Sequence, residues 1–535
     1  MPSGIVQLLG ALMAASGVYG VYKLARVAYG QWNSPLNILP GLPFSQLFLG
    51  NLREIWAEED SMEPGELIAK YGTTFRFRGV LGRKRLYTID PKALNHILMN
   101  PNDYQKPEAS RYGLTSIMGA GVLVVEGDKH RQQNPAFGPA HVRELTEIFV
   151  QKSVQLRDIW AEEISKGQGQ IDVLSWLSKT TLDVIGLAGF NYEFDSLTRG
   201  PGEDELNDAF SHILHAATNV SVFAVLRFAF PIFRSIPAPG DAATEKARRT
   251  MCQIGSNLLA DSKAAIEQNK NTDRSSGKSK DLLSLLVRAN TSTELADNQR
   301  MSDEDVLAQV PTFLVAGHET TSIATTWALF ALTQAPNVQV KLRNELLSVS
   351  TDNPTMEELN ALPYLDAVVR ETLRLHAPAS STVRQAMKDD IIPLATPFTD
   401  KEGVLHHEIR IEKGQSLRIP IIQINRSRSI WGEDAFEFKP ERWESPPEAA
   451  SSIPGVWGNM LTFLGGPRSC IGYRFALVEL KALLFTLVRA FEFELAVPVK
   501  DIVKRSSGLV QRPVLLTDPD GGNQMPLIMR SFQRL

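Results

Sequence analysis

Ten residues near the C-terminus, FLGGPRSCIG (463–472), restrict this chain more than any other segment. They set Phe463, Gly466, Arg468 and Gly472 around Cys470. Only two cysteines occur in 535 residues, Cys252 and Cys470. Cys470 therefore belongs to no disulfide framework and to no four-thiolate zinc site. A helical pattern, YRFALVELKALLF, follows directly. A cysteine at a helix start is expected to have a lowered pKa, because free N–H groups and the positive helix end favour the thiolate. Gly466 and Gly472 would let a flat group approach the backbone, and Arg468 would hold an anion on it. Thiolate, flat group and anion clamp together point to haem iron. The competing reading is a buried cysteine serving as a small hydrophobe.

Bulk properties set wider limits. At 43% apolar and 22% charged residues with net charge −4, the composition is that of a globular protein. It lacks the excess of basic residues expected of a nucleic-acid binder. Two cysteines fit a reducing compartment. No long linker or repeat divides the chain after residue 50, so one large, mainly α body with small β-sheets is expected. The segment TTFRFRGVLGRKRLYTID (73–90) predicts a hairpin turning at Gly79–Gly82, and residues 391–424 are strand-like and turn-rich. Polar breaks at 196–205 and 267–281 read as surface loops.

The N-terminus differs. Ile5 to Tyr22 carries no charge and is followed by Lys23 and Arg26. At 1.5 Å per residue this run spans about 27 Å, enough for a thin bilayer core. The basic flank places the following body in the cytosol. A cleaved signal peptide is the rival, but basic residues before the apolar run are missing. The expected organisation is a membrane anchor at 1–30, a proline-rich hinge at 31–50 with Pro35, Pro40 and Pro43, and a catalytic body at 51–535. Sequons at Asn219, Asn290 and Asn425 are expected to stay unmodified in a cytosol-facing body.

From Met301 the chain reads MSDEDVLAQVPTFLVAGHETTSIATTWALFALTQAP. Ser302 and Asp305 fit a capped start, and the helix is then apolar almost all round, as a central one is. Gly317 is a poor helix residue, explicable if something packs flat against it. A buried acid beside a hydroxyl, Glu319–Thr320, is costly without partners or a task. Thr320 has a bland alternative, back-bonding one turn earlier. Pro311 is expected to break the helix ladder. His318 lacks a His one turn on and reads as packing.

The cysteine loop resembles that of the cytochrome P-450 family, and further motifs extend the resemblance over roughly residues 35 to 513. It implies a mainly helical haem-thiolate monooxygenase fold behind an N-terminal transmembrane helix, with haem b ligated by Cys470. It implies that Ala316, Gly317, Glu319 and Thr320 belong to the helix that handles dioxygen, Thr320 as hydroxyl donor and Glu319 as proton relay. Glu371 and Arg374, three apart on one helix face, would bind Arg442 in a buried network locking the cysteine loop. The alternative is an exposed pair of little worth. Arg384 and Arg468 would clamp the haem propionates, and Trp431–Gly432 and Asn425–Arg426 fit the stretch before the loop.

One departure stands out. A further clamp is expected as Trp or His followed four residues later by Arg. In VEGDKHRQQNPAFGPAHV, His130 fits the first position, but Asn134 occupies the second. A segment about one turn shorter than the fungal pattern would explain this, with Arg131 taking over the clamp or the site weakened.

The resemblance further implies a lipophilic substrate, contacted around 110–122, 223–230, 377–383 and 507–510, and fungal secondary metabolism such as terpenoid biosynthesis. Electrons would come from NADPH through a separate NADPH-cytochrome reductase on the same membrane, that of the endoplasmic reticulum. Two alternatives are a reductase-independent isomerase or peroxygenase, and a catalytically impaired haem- or lipid-binding protein.

Overall fold

The computed structural model describes residues 17–18, 20, 22, 25–26, 29–46, 48–62, 65–133, 138–199, 223, 226–227, 230–238, 241–271, 281–291, 300–507 and 510–532. Most of the apolar N-terminal run, Asn219, Asn134, and most of the loops expected at 196–205 and 267–281 lie outside them. Among the described residues no helix is long and apolar enough to cross a membrane.

The predicted hairpin forms. Strands β1 (Thr74–Arg78) and β2 (Lys84–Thr88) pair antiparallel, Thr74 opposite Thr88 and Arg78 opposite Lys84. The Gly79 N–H closes the turn on the Arg83 carbonyl at 2.8 Å. Helix α1 (Pro91–Met99) follows, started by Asp90, whose carboxylate accepts the Lys92 and Ala93 N–H groups. The short strand β3 (Tyr104–Gln105) comes next. With β4 (Thr382–Ala386) and β5 (Ser416–Ile419) these strands form one sheet in the order β1-β2-β5-β4-β3. Across its end Tyr104 faces Ala386 and Gln105 faces Gln385.

The helical part is built from α2 (Gly127–Gln133), α3 (Pro139–Ser165), α4 (Val173–Phe190), α5 (Gln309–Gln334), α6 (Pro363–Leu375) and α7 (Tyr473–Ala490). Helix α5 packs on α4 and α7, and α7 packs on α3. Their shared core includes the fully buried Leu145, Leu177, Leu329 and Leu484. A second core, with Phe75, Leu86, Leu417 and Ile419, lies against the sheet. The C-terminal hairpin β6 (Ile502–Ser507) and β7 (Val510–Leu515) places Arg505 opposite Arg512 and touches α5 through β7.

Three local expectations need correction. Ser302 does cap a helix, accepting the Asp305 N–H at 3.1 Å, but that helix is the short Asp303–Leu307. The ladder is interrupted at Ala308, whose backbone stays right-handed. That is three residues ahead of Pro311, as expected of a proline with no N–H for the previous turn. Pro311 itself lies in the first turn of α5. Second, the proline-rich hinge is more than a spacer. Leu36, Leu39 and Leu42 are buried in the sheet core, and the Pro40 carbonyl accepts the Arg76 N–H at 2.8 Å. The leucines between the prolines bind the segment to the body. Third, Ser196 and Leu197 are buried rather than looped out, because Asp183 accepts both their N–H groups, Ser196 at 2.7 Å.

Candidate functional site

The cysteine loop is fixed by its own backbone. Cys470 donates its N–H to the Phe463 carbonyl at 2.8 Å, and Ser469 donates to Gly466 at 3.0 Å. Gly466 has φ +70, and a Cβ there would lie 2.4 Å from the Leu98 carbonyl oxygen. Its need for glycine therefore comes from the end of α1 pressing on the loop, not from a bound group. Around Gly472 no atom crowds a Cβ, so its side remains open. Phe463 is buried between Trp457 and Tyr473.

Cys470 keeps an accessible surface, yet burial pushes its thiol up to about 11, against a Gly472 backbone hydrogen bond. This reverses the expected lowering. Helix α7 begins at Tyr473 with Gly472 as its cap, so Cys470 stands ahead of the helix end, and desolvation wins. A thiolate at this position requires a cation bound to the sulfur.

Helix α5 presents one open face. Ala316 is exposed and Thr320 half-buried, while residues 312–315 and 318–319 are buried. Gly317 does not belong to that face. A Cβ on it would meet the Ile185 Cδ1 atom at 2.8 Å, so the flat neighbour is α4, and Ala316 is the residue left to border a cofactor. His318 packs as expected. It is buried and shares a 2.7 Å hydrogen bond with Ser178; burial, then Arg512, lowers its pKa to about 3, so the ring is neutral.

The acid–alcohol pair is present but its members face different partners. Thr320 donates to the Ala316 carbonyl at 2.7 Å, the back-bonded arrangement. The Glu319 side chain is buried and is bonded to Arg512 of β7. Burial raises the pKa of Glu319, with Arg512 opposing. The sequence contained no signal for this partner, since strand β7 lies 193 positions away.

A basic cluster borders the cysteine loop. Arg468 donates to the Val125 carbonyl at 2.7 Å and pairs with Glu126. Arg384, almost wholly buried, donates to Thr382 and to the Val383 carbonyl at 2.9 and 2.8 Å. Burial, with Arg468 adding to it, lowers its pKa to about 10. Lys106 joins them unannounced. It follows Gln105 in the register that pairs β3 with the Arg384 strand, and its N–H donates to Glu126 at 3.1 Å. Burial, then Arg384, lowers the Lys106 ammonium to about 7. His130 is not a cation here, because burial, then Arg468 and Lys106, lowers it to about 4. The Arg131 side chain and Asn134 lie outside the described residues. Among the described residues, Glu126 pairs with the Arg468 side chain and lies within electrostatic reach of Arg384 and Lys106, so three basic side chains face one carboxylate. That surplus, two residues from an accessible thiol, fits a flat dianionic group carrying a thiolate-bound metal.

The charge network is buried as expected. Glu371 and Arg374 are fully inaccessible and bond twice, at 2.8 and 2.9 Å. Arg442 reaches Glu371 at 3.3 Å, and Trp443 adds an indole N–H at 3.1 Å. Arg374 also donates to the Asn425 and Ala435 carbonyls. From Asn425 the network enters the cysteine loop: its side chain accepts the Leu461 N–H at 2.9 Å and donates to Thr462 at 2.8 Å. Asn425 is fully buried, which gives its sequon a steric reason to stay unmodified.

Comparison with known proteins agrees with this arrangement. The family model described as Cytochrome P450 matches residues 40–517. Cytochrome P450 monooxygenase 205 of Postia placenta is 53% identical, over 98% of either chain. Cytochrome P450 monooxygenase 128 of the same fungus is 52% identical, over 97% of this chain and 96% of that one. Ganoderic acid synthetase of Ganoderma lucidum is 34% identical, over 90% of this chain and 92% of its own.

Proposed function

The chain belongs to the cytochrome P450 family, and from that premise we propose that it is a membrane-anchored monooxygenase adding one oxygen atom of dioxygen to a lipophilic small molecule, by hydroxylation or epoxidation. Its place would be fungal secondary metabolism of the terpenoid kind. The relative named ganoderic acid synthetase supports a secondary-metabolic role. Electrons would come from NADPH through a separate reductase on the membrane of the endoplasmic reticulum, with the body in the cytosol. The uncharged run Ile5–Tyr22 and its basic flank support the anchor.

The observation that carries the reading is the open face of α5, where Ala316 and Thr320 emerge from an otherwise buried helix. The cofactor would be haem b, held by the Cys470 thiolate, Arg384, Arg468 and Lys106. When bound, it supplies the dioxygen chemistry, which a thiolate ligand favours by pushing electron density toward the metal. The protein supplies the surroundings. Thr320 offers a hydroxyl on the open face, Glu319 holds a proton-exchanging carboxyl behind it, and the apolar body of α5 keeps water from both.

The test is the carbon-monoxide difference spectrum of the reduced protein, followed by turnover of lipophilic terpenoids with NADPH and a fungal reductase. A thiolate-type spectrum, lost in Cys470→Ala with helical content kept, and oxygenated product are expected. A thiolate spectrum surviving in Cys470→Ala would overturn the ligand assignment.

A further inference from the structure

Helix Leu52–Asp60 ends on two carboxylates, and each holds a different distant segment. Glu59 is fully buried and pairs with Arg418 of β5. It also accepts hydroxyls from Ser381 at 3.0 Å and Ser380 at 3.5 Å, in the stretch between α6 and β4. Asp60 faces the C-terminal hairpin. It accepts the Ser506 N–H at 3.2 Å, the Ser506 hydroxyl at 2.6 Å and the Gln511 side-chain amide at 2.7 Å. Ser506 and Gln511 are direct partners in the ladder, one pair behind the Ser507–Val510 pair at the tip. One carboxylate thus grips both strands of the hairpin next to its tip.

The ladder between β6 and β7 fixes the two strands to each other, but not the hairpin to the stretch 378–383. A backbone bond links those two, from the Gln511 N–H to the Pro378 carbonyl at 2.8 Å. By itself it would be a pivot. Asp60 adds a second attachment at Ser506, and Glu59 carries the same helix end onto Ser380 and Ser381, so the tilt is set. The Gln511 amide also donates to the Glu59 carbonyl at 2.8 Å, which joins the two grips.

Both segments border the space over α5. Thr382 and Val383 are bonded by Arg384, the buried arginine beside the cysteine loop. Along a strand, successive side chains alternate between faces. Ser506 and Gln511 turn to Asp60, so Val510 and Arg512 turn to the opposite face, where Arg512 meets Glu319 of α5. The tip is therefore held between helix Leu52–Asp60 and the central helix. These are two of the stretches expected to contact a substrate.

We propose that Glu59 and Asp60 are positioning residues for substrate selection, fixing the tilt of the hairpin tip against the 378–383 stretch and so the bulk that fits between them beside the open face of α5. The inference rests on the monooxygenase reading for its purpose, but the spacing can be measured without turnover.

The experiment uses the full chain with haem bound, as wild type, Asp60→Ala, Asp60→Asn, Ser506→Ala and Ser381→Ala. Dissociation constants are read from the absorbance shift with imidazole and with tritylimidazole, which share an iron-binding nitrogen and differ in bulk. Asp60→Ala is expected to change the ratio of the two constants several-fold at unchanged haem content. Asp60→Asn keeps one acceptor oxygen for the hairpin, so it should recover part of the wild-type ratio. Ser506→Ala and Ser381→Ala, each removing one hydroxyl from one carboxylate, should move the ratio by less. An unchanged ratio in Asp60→Ala, or a loss of affinity shared equally by both azoles, overturns the proposal. Should Asp60→Ala fail to fold, Ser506→Ala and Ser381→Ala decide, and wild-type ratios in both overturn it. A wild type that binds both azoles but consumes no NADPH with a reductase and lipophilic terpenoids would instead count against the monooxygenase reading. The azole ratio would still decide the role of Glu59 and Asp60.

Discussion

The side chain of Asn425 accepts the backbone N–H of Leu461 at 2.9 Å, and through this bond the buried charge network holds the cysteine loop. Arg374 bonds the Asn425 carbonyl, and Glu371 bonds Arg374 and Arg442. Leu461 stands two residues before Phe463, whose carbonyl anchors Cys470. The network is thus structural support for the cysteine loop, and its partners lie in that loop and the segment before it.

Arg442→Ala is expected to leave Glu371 with an unbalanced share of buried charge and to destabilise the fold by ~3–5 kcal/mol. Haem content should fall with it, while any protein that retains haem should keep a thiolate spectrum. Urea unfolding monitored alongside haem absorbance checks both. Haem loss at unchanged unfolding midpoint would mean that the network touches the cofactor directly.

Gly317→Ala separates packing from cofactor contact. The added methyl would meet Ile185 at 2.8 Å, and overpacking a core costs ~1–3 kcal/mol. The double variant with Ile185→Ala should recover most of the loss, because the clash is with that side chain. Thermal denaturation of the four proteins in this cycle gives the coupling. A loss that Ile185→Ala leaves untouched would return Gly317 to the cofactor face.

Much of this was legible in the sequence, and the reasons are local. Hairpin Thr74–Thr88, the capped helix at Ser302 and the Glu371–Arg374 pair each depend on residues within one turn or one hairpin of each other. What escaped depends on contacts across the chain. Arg512 reaches Glu319 only because β7 packs on α5, and Lys106 reaches the basic cluster only through the β3–β4 register. The direction of the free Cys470 thiol's pKa escaped for a different reason. A helix-end argument judged the charge at Cys470 but not its desolvation, which decides the direction.

Lys106→Met is expected to weaken haem retention, since a charged hydrogen bond is worth ~1.5–3 kcal/mol. His130→Gln should have a smaller effect, because the ring is already neutral. Rates of haem transfer to an excess of apomyoglobin would measure the difference at constant fold. Equal rates for wild type and Lys106→Met would remove Lys106 from the clamp and return attention to Arg131.

His318 yields a pH prediction with a definite sign. Its folded pKa is lowered to about 3 by burial, then by Arg512, while an unfolded histidine titrates near 6.5. Between these values the unfolded chain binds a proton that the folded protein does not. Stability therefore rises with pH across this window, and falls as pH drops from about 6.5 toward 3. His318→Asn removes the titrating ring while keeping a group able to bond Ser178. Its unfolding free energy should be lower than wild type at pH 7, where a packed ring is lost, but should decline less between pH 7 and pH 5. Urea midpoints at the two pH values, for both proteins, measure the slopes. Parallel declines would mean that His318 is already protonated in the folded protein, and its hydrogen bond to Ser178 would then have the ring as donor.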